Sequence, residues 1–543
     1  MREMIRVLYE PILKATDKEA PSARSTQPAS TGQGVLDQAT CKNIEADRLF
    51  EAVNTASTLV GQAVLYRSLI QPLVSAHVIQ AKQEALQELE ANARLRAQIE
   101  DFVASAARKE KDFYTLLFKK FVGLLGMTEE KTGIEGYGYG PYKRGVRFML
   151  DLVEGAKRLP TPQCLYLKAL VDEIRDLGST RSYALMRGPV HLVSSVLKTR
   201  DEKKPFTPSI IFRPTLFKPL LLLTLLGSAW LLVHIAPLAL GYAFFIFPAL
   251  LLLGPVAFLY VPSVGEFDRD RFIYPLREGY KRSSEVQHAL DALGKLDELL
   301  SFHRYARSFG SFTVLPKVVD ADKHFMIVRG ARNPVLGKGN PAYVANDARL
   351  DGHRLTFITG PNSGGKTAFC KTLAQIQLLA QIGCYVPATA AELAVADRIF
   401  YQAPESGSLE DEEGRFGTEL RRTKNIFVNT SPKSLVILDE LAEGTTYEEK
   451  LEISSKILSG FYRVGNNTLL VTHNHALCEQ FRSQGIGQYR QVEFVDDRPT
   501  FRLVEGISRV SHADRIAKRI GFAEHDIERH LVEKGYVGDS KEM

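Results

Sequence analysis

The chain has 543 residues, a length at which a single hydrophobic core no longer grows with the chain, so two or three domains are expected. A hydrophobic fraction of 45% and a charged fraction of 24% exclude a disordered chain and a protein made mainly of membrane spans. The formal charge of +6, spread over 69 basic and 63 acidic side chains, gives only mild attraction to polyanions and establishes no nucleic-acid partner.

The first 16 residues carry charges throughout and read as a short amphipathic helix rather than a signal peptide. Residues 17–40 are rich in Ser, Thr, Gln, Ala, Pro and Gly and read as a flexible linker. From residue 44 to about 117, apolar positions recur at helical spacing among strong helix formers, which predicts two or more long helices. Residues 219–261 form a run of 43 without Asp, Glu, Lys or Arg. That length suits two spanning helices of about 20 residues each, joined by a turn near 237–241. Arg213 and Lys218 precede the run, and Glu266, Asp268, Arg269, Asp270 and Arg271 follow it. Both flanking parts are therefore expected on the cytoplasmic side of a membrane.

Residues 286–306 return to an amphipathic helix with Leu290, Leu293, Leu296, Leu299 and Leu300 near one face. From about residue 325 short β-branched runs alternate with helical patterns, as in α/β domains. Five cysteines, Cys41, Cys164, Cys370, Cys384 and Cys478, lack CxxC spacing and fit reduced thiols better than disulfides or a zinc site.

The segment LTFITGPNSGGKTAF carries the strongest chemical signal. An apolar strand leads into a glycine-rich loop, and Lys366 and Thr367 open a helix, as in a phosphate-binding P-loop. Gly360, Pro361, Asn362, Ser363, Gly364, Gly365, Lys366, Thr367 and Ala368 are the candidate nucleotide contacts. Backbone N–H groups and the helix N-terminus favour phosphate, Lys366 reaches the β/γ-phosphates, and Thr367 can ligate Mg2+. In SLVILDEL a strand delivers Asp439 and Glu440 to its C-terminal end, where ligands bind in open α/β sheets. Asp439 is then a metal-site residue, and Glu440 the group that polarises the attacking water. A third strand, NTLLVT, leads into His473, placed to sense a γ-phosphate if it neighbours the P-loop strand.

GPNSGGKT followed by IQLLAQIGCYVPA and DRIF, LDELAEGTTYEE and VTHNHAL together resemble the ATPase of the MutS mismatch-recognition family. ARNPVLGKGNPAYVANDARL resembles the family's adenine-side stretch, which implies that Tyr343 stacks on adenine. Segments 46–73 and 295–309 resemble parts of the family's helical core. The implied fold is multidomain: an α-helical core and lever region interrupted by a two-helix transmembrane hairpin, followed by an α/β P-loop (ABC-like) ATPase domain. The expected divisions are a terminal segment and linker over 1–40, helical core over 41–216, hairpin over 217–262, returning core over 263–320, and ATPase with a C-terminal helical dimerisation element over 321–543.

Departures from the family pattern are equally specific. No Phe-x-Glu motif occurs before the helical core, so direct mismatch reading is not expected, and Phe522-Ala523-Glu524 reads as chance. The hairpin stands where the family's DNA clamp would be inserted. In EDEEGRFGTELRRTKNIF no Ser occupies the family's trans-acting signature, leaving Arg415, Gly417 and Thr418 as candidates to contact a partner's nucleotide. The resemblance therefore implies a membrane-anchored homodimer with its ATPase in the cytoplasm, using ATP and Mg2+. Its output is DNA handling without mismatch reading or, alternatively, nucleotide-switched scaffolding of membrane, lipid or protein partners without DNA.

Overall fold

The computed structural model describes residues 2–6, 22–123, 136–215, 218, 227, 230, 263–361, 364–404, 414–442, 445–495, 498–508, 520–534 and 536. The chain divides into two units: the first comprises 1–27, 53–68 and 80–304, and the second 28–52, 69–79 and 305–543.

The first unit is mainly helical. Helix Tyr139–Arg158 packs against Ala93–Ala107, Glu110–Phe118 and Leu165–Asp176, most of helix Ser284–Arg307 belongs to the same unit, and a small antiparallel sheet joins β1 (His191–Val193), β2 (Val196–Lys198) and β3 (Ile210–Ile211) in the order β2-β1-β3. The leucine stripe of Ser284–Arg307 is fully buried, but the opposite face is not solvated as an amphipathic pattern requires. Asp291, Lys295, Asp297 and Glu298 are also buried. Each is partnered: Asp291 pairs with the sequence-distant Arg67 at 2.5 Å and with Lys295, one helical turn on, at 2.9 Å, Glu298 pairs with Lys82 at 2.9 Å, and Asp297 accepts from the Thr58 backbone at 2.7 Å. Desolvating these charges is costly, and the pairing offsets that cost. Two basic side chains of this unit are paired with acids, Lys109 with Asp151 at 2.8 Å and Arg144 with Asp112 at 2.9 Å.

The expected transmembrane hairpin over 217–262 is corrected. A span requires about 20 residues of continuous apolar helix. Among the described residues no helix is long and apolar enough to cross a membrane. The longest, the 24-residue Ser284–Arg307 and the 20-residue Tyr139–Arg158, carry repeated charges. The charge-free stretch itself lies almost entirely outside the described residues. The fold is therefore multidomain and α/β with no spanning helix among the described residues, and the membrane localisation with a cytoplasmic ATPase loses its basis with the hairpin.

The second unit is built on a six-stranded sheet. Its strands are β7 (Leu355–Thr359), β9 (Ile399–Gln402), β10 (Leu435–Asp439), β11 (Asn467–Val471), β12 (Gln488–Val495) and β13 (Arg498–Glu505), ordered β13-β12-β7-β11-β10-β9. All neighbours are parallel except the β12–β13 hairpin. Strands β7, β10 and β11 are buried along their whole length, as central parallel strands covered on both faces must be. Leu355, Phe357, Val436, Leu438, Leu470, Leu458, Phe461 and Phe481 form one core against them. A second sheet of β4 (Lys317–Val319), β5 (Met326–Ala331), β6 (Asn346–Leu350) and β8 (Ala390–Ala394) has the order β4-β8-β5-β6.

Residues 28–43, partly read as linker, belong to this unit and lie along the sheet edge, where Ile399 donates to the Val35 carbonyl at 2.8 Å. All five cysteines are free thiols, and four of them are buried. In the expected C-terminal helical pair, residues 509–519 lie outside the described residues, while Glu524–Glu533 is a helix with no buried residue.

His324 ties the two sheets of this unit together. Its ring is fully buried, accepts at Nδ1 from Asn467 Nδ2 at 3.0 Å and donates from Nε2 to Gln377 Oε1 at 3.3 Å, the bonding of a neutral imidazole. Burial pushes its pKa down to about 4, from an ordinary 6.5. The unfolded chain then takes up the proton first, so this contribution to stability is complete above about pH 6.5 and is lost as pH falls toward 4, by roughly 3 kcal/mol at most. Denaturant unfolding at pH 7 and pH 4.5 should show His324→Gln losing less stability than the parent protein over this interval; an equal loss would refute the assignment.

Candidate functional site

The site forms where the parallel strands end together. Because β11 lies between β7 and β10, with Thr468 opposite Leu355 and Leu435 opposite Asn467, the loops after these three strands emerge side by side. That arrangement brings the glycine-rich loop, the acidic pair and His473 into one crevice, the general ligand position of open α/β sheets.

After β7 the chain turns through Gly360 at φ +125° and Pro361, and Gly365 at φ +84° forms the left-handed N-cap of helix Lys366–Gln381. A Cβ at Gly364 would lie 2.7 Å from Val492 Cγ2 of β12, so only glycine lets the loop close onto the sheet here. The first backbone N–H groups of this helix have no intrahelical acceptors and its dipole favours negative charge, so the loop suits a phosphate. Asn362 and Ser363 lie outside the described residues. Ala368 lies in the helix, where its carbonyl accepts from the Thr372 hydroxyl at 2.7 Å.

Lys366 is buried, with its ammonium donating to the Gly360 carbonyl and 3.5 Å from His473 Nε2. Burial pushes its pKa down to about 8 despite the nearby Glu440 and Asp439 carboxylates. Asp439 closes β10 and is buried; its Oδ2 accepts from the Tyr401 hydroxyl at 3.1 Å, and the Thr367 hydroxyl bonds to the same carboxylate. Burial raises its pKa above the usual range, with those two hydrogen bonds opposing the shift. Thr367 and Asp439 thus place a hydroxyl and a carboxylate together, a pair suited to a divalent cation whose other ligands are phosphate oxygens and water.

Glu440 adopts φ +64°, a left-handed conformation unusual for a non-glycine residue and of a kind that clusters at functional sites. Its N–H donates to the Val471 carbonyl at 2.9 Å, and its Oε1 lies 3.5 Å from His473 Nε2. Burial, then the Lys366 charge, lower the pKa of His473. The sequence-derived Lys366, Thr367, Asp439, Glu440 and His473 are therefore neighbours in space.

Tyr343 meets the helix that follows the glycine loop. Its hydroxyl bonds to Thr372, six residues beyond Lys366 on the same helix, and burial raises its pKa. Gly417 and Thr418 are half-buried within helix Gly414–Val428 rather than on a loop, and the Arg415 side chain lies outside the described residues. Three further residues meet the site without having been picked out from the sequence. Tyr401 holds Asp439; Lys450 lies near Glu440 and Glu419; and Glu419 accepts from the Ala442 N–H. Tyr401 is hidden in the apolar run IFYQ, where only its hydroxyl signals a buried bond to be made.

Known proteins resemble this region. The family model described as MutS domain V matches residues 356–529. The DNA mismatch repair protein MutS of Parabacteroides distasonis is 34% identical over 256 residues, which is 45% of this chain and 29% of that protein. The MutS of Caldicellulosiruptor bescii is 32% identical over 258 residues, again 45% of this chain and 29% of the relative. The DNA mismatch repair protein MSH3 of Kluyveromyces lactis is 30% identical over 263 residues, 46% of this chain and 25% of the relative. The match thus spans less than a third of each relative's length. Residues 356–529 are thus similar to MutS domain V, and under half of the chain is similar to these mismatch repair proteins.

Proposed function

We propose that the chain is an ATPase hydrolysing ATP to ADP and phosphate and coupling that turnover to DNA binding without reading mismatches directly. The observation carrying this reading is the convergence of Lys366, Glu440 and His473 within 3.5 Å steps at the mouth of a glycine loop. Loop N–H groups and the N-terminus of helix Lys366–Gln381 bind the phosphates, and Lys366 neutralises the β/γ oxygens. Glu440 orients a water and takes its proton as the oxygen bonds to the γ-phosphorus and the bridging bond to ADP breaks. His473, kept neutral by burial, contacts the γ-phosphate and reports its presence to the Glu440 carboxylate. Mg2+, when bound by Thr367 and Asp439, supplies further charge neutralisation.

Tyr343 stacks on adenine in this reading, and two chains form a homodimer in which Arg415, Gly417 and Thr418 contact the partner's nucleotide. The MutS and MSH3 names of the relatives support the DNA side. The intramolecular pairing of Lys109 and Arg144 leaves these two basic side chains less available to DNA phosphates.

Lys366→Ala removes the charge-assisted contact to phosphate, so the dissociation constant for ATP should rise on the order of 10- to 100-fold in equilibrium titration. An unchanged affinity would take Lys366 out of the site. Steady-state ATPase rates of the full chain, measured without DNA and with linear, mismatched and branched duplexes at two salt concentrations, test the coupling. Stimulation that is equal for matched and mismatched duplex and disappears at high salt is expected, because phosphate contacts weaken steeply with salt. Turnover indifferent to every DNA would replace this reading with a nucleotide-switched scaffold.

A further inference from the structure

Asp439 accepts hydrogen bonds from two different elements. One donor, Thr367, belongs to helix Lys366–Gln381 of the phosphate loop. The other is the hydroxyl of Tyr401 on β9, the strand next to β10, at 3.1 Å from Oδ2. A carboxylate turns easily about its terminal torsion, and a single donor leaves that rotation open. Donors from two elements fix its plane.

Tyr401 is itself held with unusual completeness. The residue is fully buried, and its backbone N–H donates to Thr40 Oγ1 at 3.3 Å. Its carbonyl accepts from Asn43 Nδ2 at 3.0 Å and from Arg422 Nη2 at 3.0 Å. Thr40 and Asn43 both lie on the short helix Gln38–Asn43, whose N-cap Asp37 accepts from Thr40 N–H at 2.8 Å and from Gly32 N–H at 3.1 Å. The segment that precedes the helical core in sequence therefore grips the one residue of β9 whose side chain reaches the acidic pair.

We propose that Tyr401 is a positioning residue that orients Asp439 for a divalent cation, and that helix Gln38–Asn43 sets Tyr401 in place. This rests on the reading of Asp439 as a cation-site residue made above. Outer-sphere hydrogen bonds of this kind typically govern metal affinity by 10- to 100-fold. Because, among the described residues, the tyrosine bonds to neither the glycine loop nor Lys366, nucleotide affinity in the absence of divalent cation does not depend on it.

The test uses the full chain and Tyr401→Phe, which deletes only the hydroxyl. Mg2+ is titrated into protein with a fluorescent ATP analogue, nucleotide binding is measured in parallel with EDTA, and thermal melting is recorded. Tyr401→Phe should need about tenfold more Mg2+ for half-maximal effect. Its nucleotide affinity in EDTA should stay within about twofold of the parent, since no phosphate contact is lost. Thr40→Val and Asn43→Ala, which leave the hydroxyl in place, should shift the Mg2+ requirement in the same direction by less, and serve as the readout if Tyr401→Phe does not fold. A folded Tyr401→Phe with the parent's Mg2+ requirement overturns the proposal, as do Thr40→Val and Asn43→Ala without any shift where they are the readout. A parent protein whose nucleotide binding ignores Mg2+ overturns the cation-site reading itself, an outcome distinguishable from the first because it is seen without any substitution.

Discussion

The site depends on one constraint, the parallel backbone pairing of β11 with β7 on one side and β10 on the other. Each strand carries a different chemical group just past its C-terminal end: the glycine loop, the acidic pair and His473. Parallel register requires those ends to lie together, since a one-residue slip would turn every buried side chain of these strands to the opposite face. Complete burial of β7, β10 and β11 makes such a slip costly, so the core that stabilises the unit also aligns the chemistry. Val492 of β12 extends the same logic, pressing on the loop at Gly364.

Within this frame the charges are placed where water is scarce. Burial lowers Lys366 to about 8, raises Asp439 and lowers His473, so each is held away from its charged form. Such perturbed groups in a crevice are a signature of functional sites. A polyphosphate and a divalent cation would relieve both costs at once, the anion favouring the charged form of Lys366 and the cation that of Asp439. The left-handed backbone at Glu440 is a further cost concentrated at the same place.

Much of this was legible in the sequence, and the reasons are local. A glycine loop between strand and helix, and two acids after an apolar strand, are short-range patterns whose chemistry follows from their spacing. What was not legible is long-range. The spatial order β7-β11-β10-β9 differs from the chain order, so only the pairing itself places His473 between the phosphate loop and the acids. Tyr401 gave no local sign beyond its hydroxyl, because its partner Asp439 is 38 residues away. The leucine stripe of Ser284–Arg307 was visible, but not the burial of its charges, whose partners Arg67 and Lys82 lie more than 200 residues distant. The hairpin expectation failed for a different reason. Hydropathy reports a lack of charge, whereas a span also requires a long continuous apolar helix, which the described residues do not supply.

The central claim is that the crevice separates phosphate binding, by the loop and Lys366, from water activation by Glu440. Single-turnover hydrolysis by Glu440→Gln, with nucleotide affinity measured on the same preparation, tests it most directly. The account predicts affinity within about twofold of the parent and cleavage slowed by on the order of 10²- to 10⁴-fold, the usual contribution of a positioned general base. Cleavage at the parent rate, or a folded variant that no longer binds nucleotide, would contradict it.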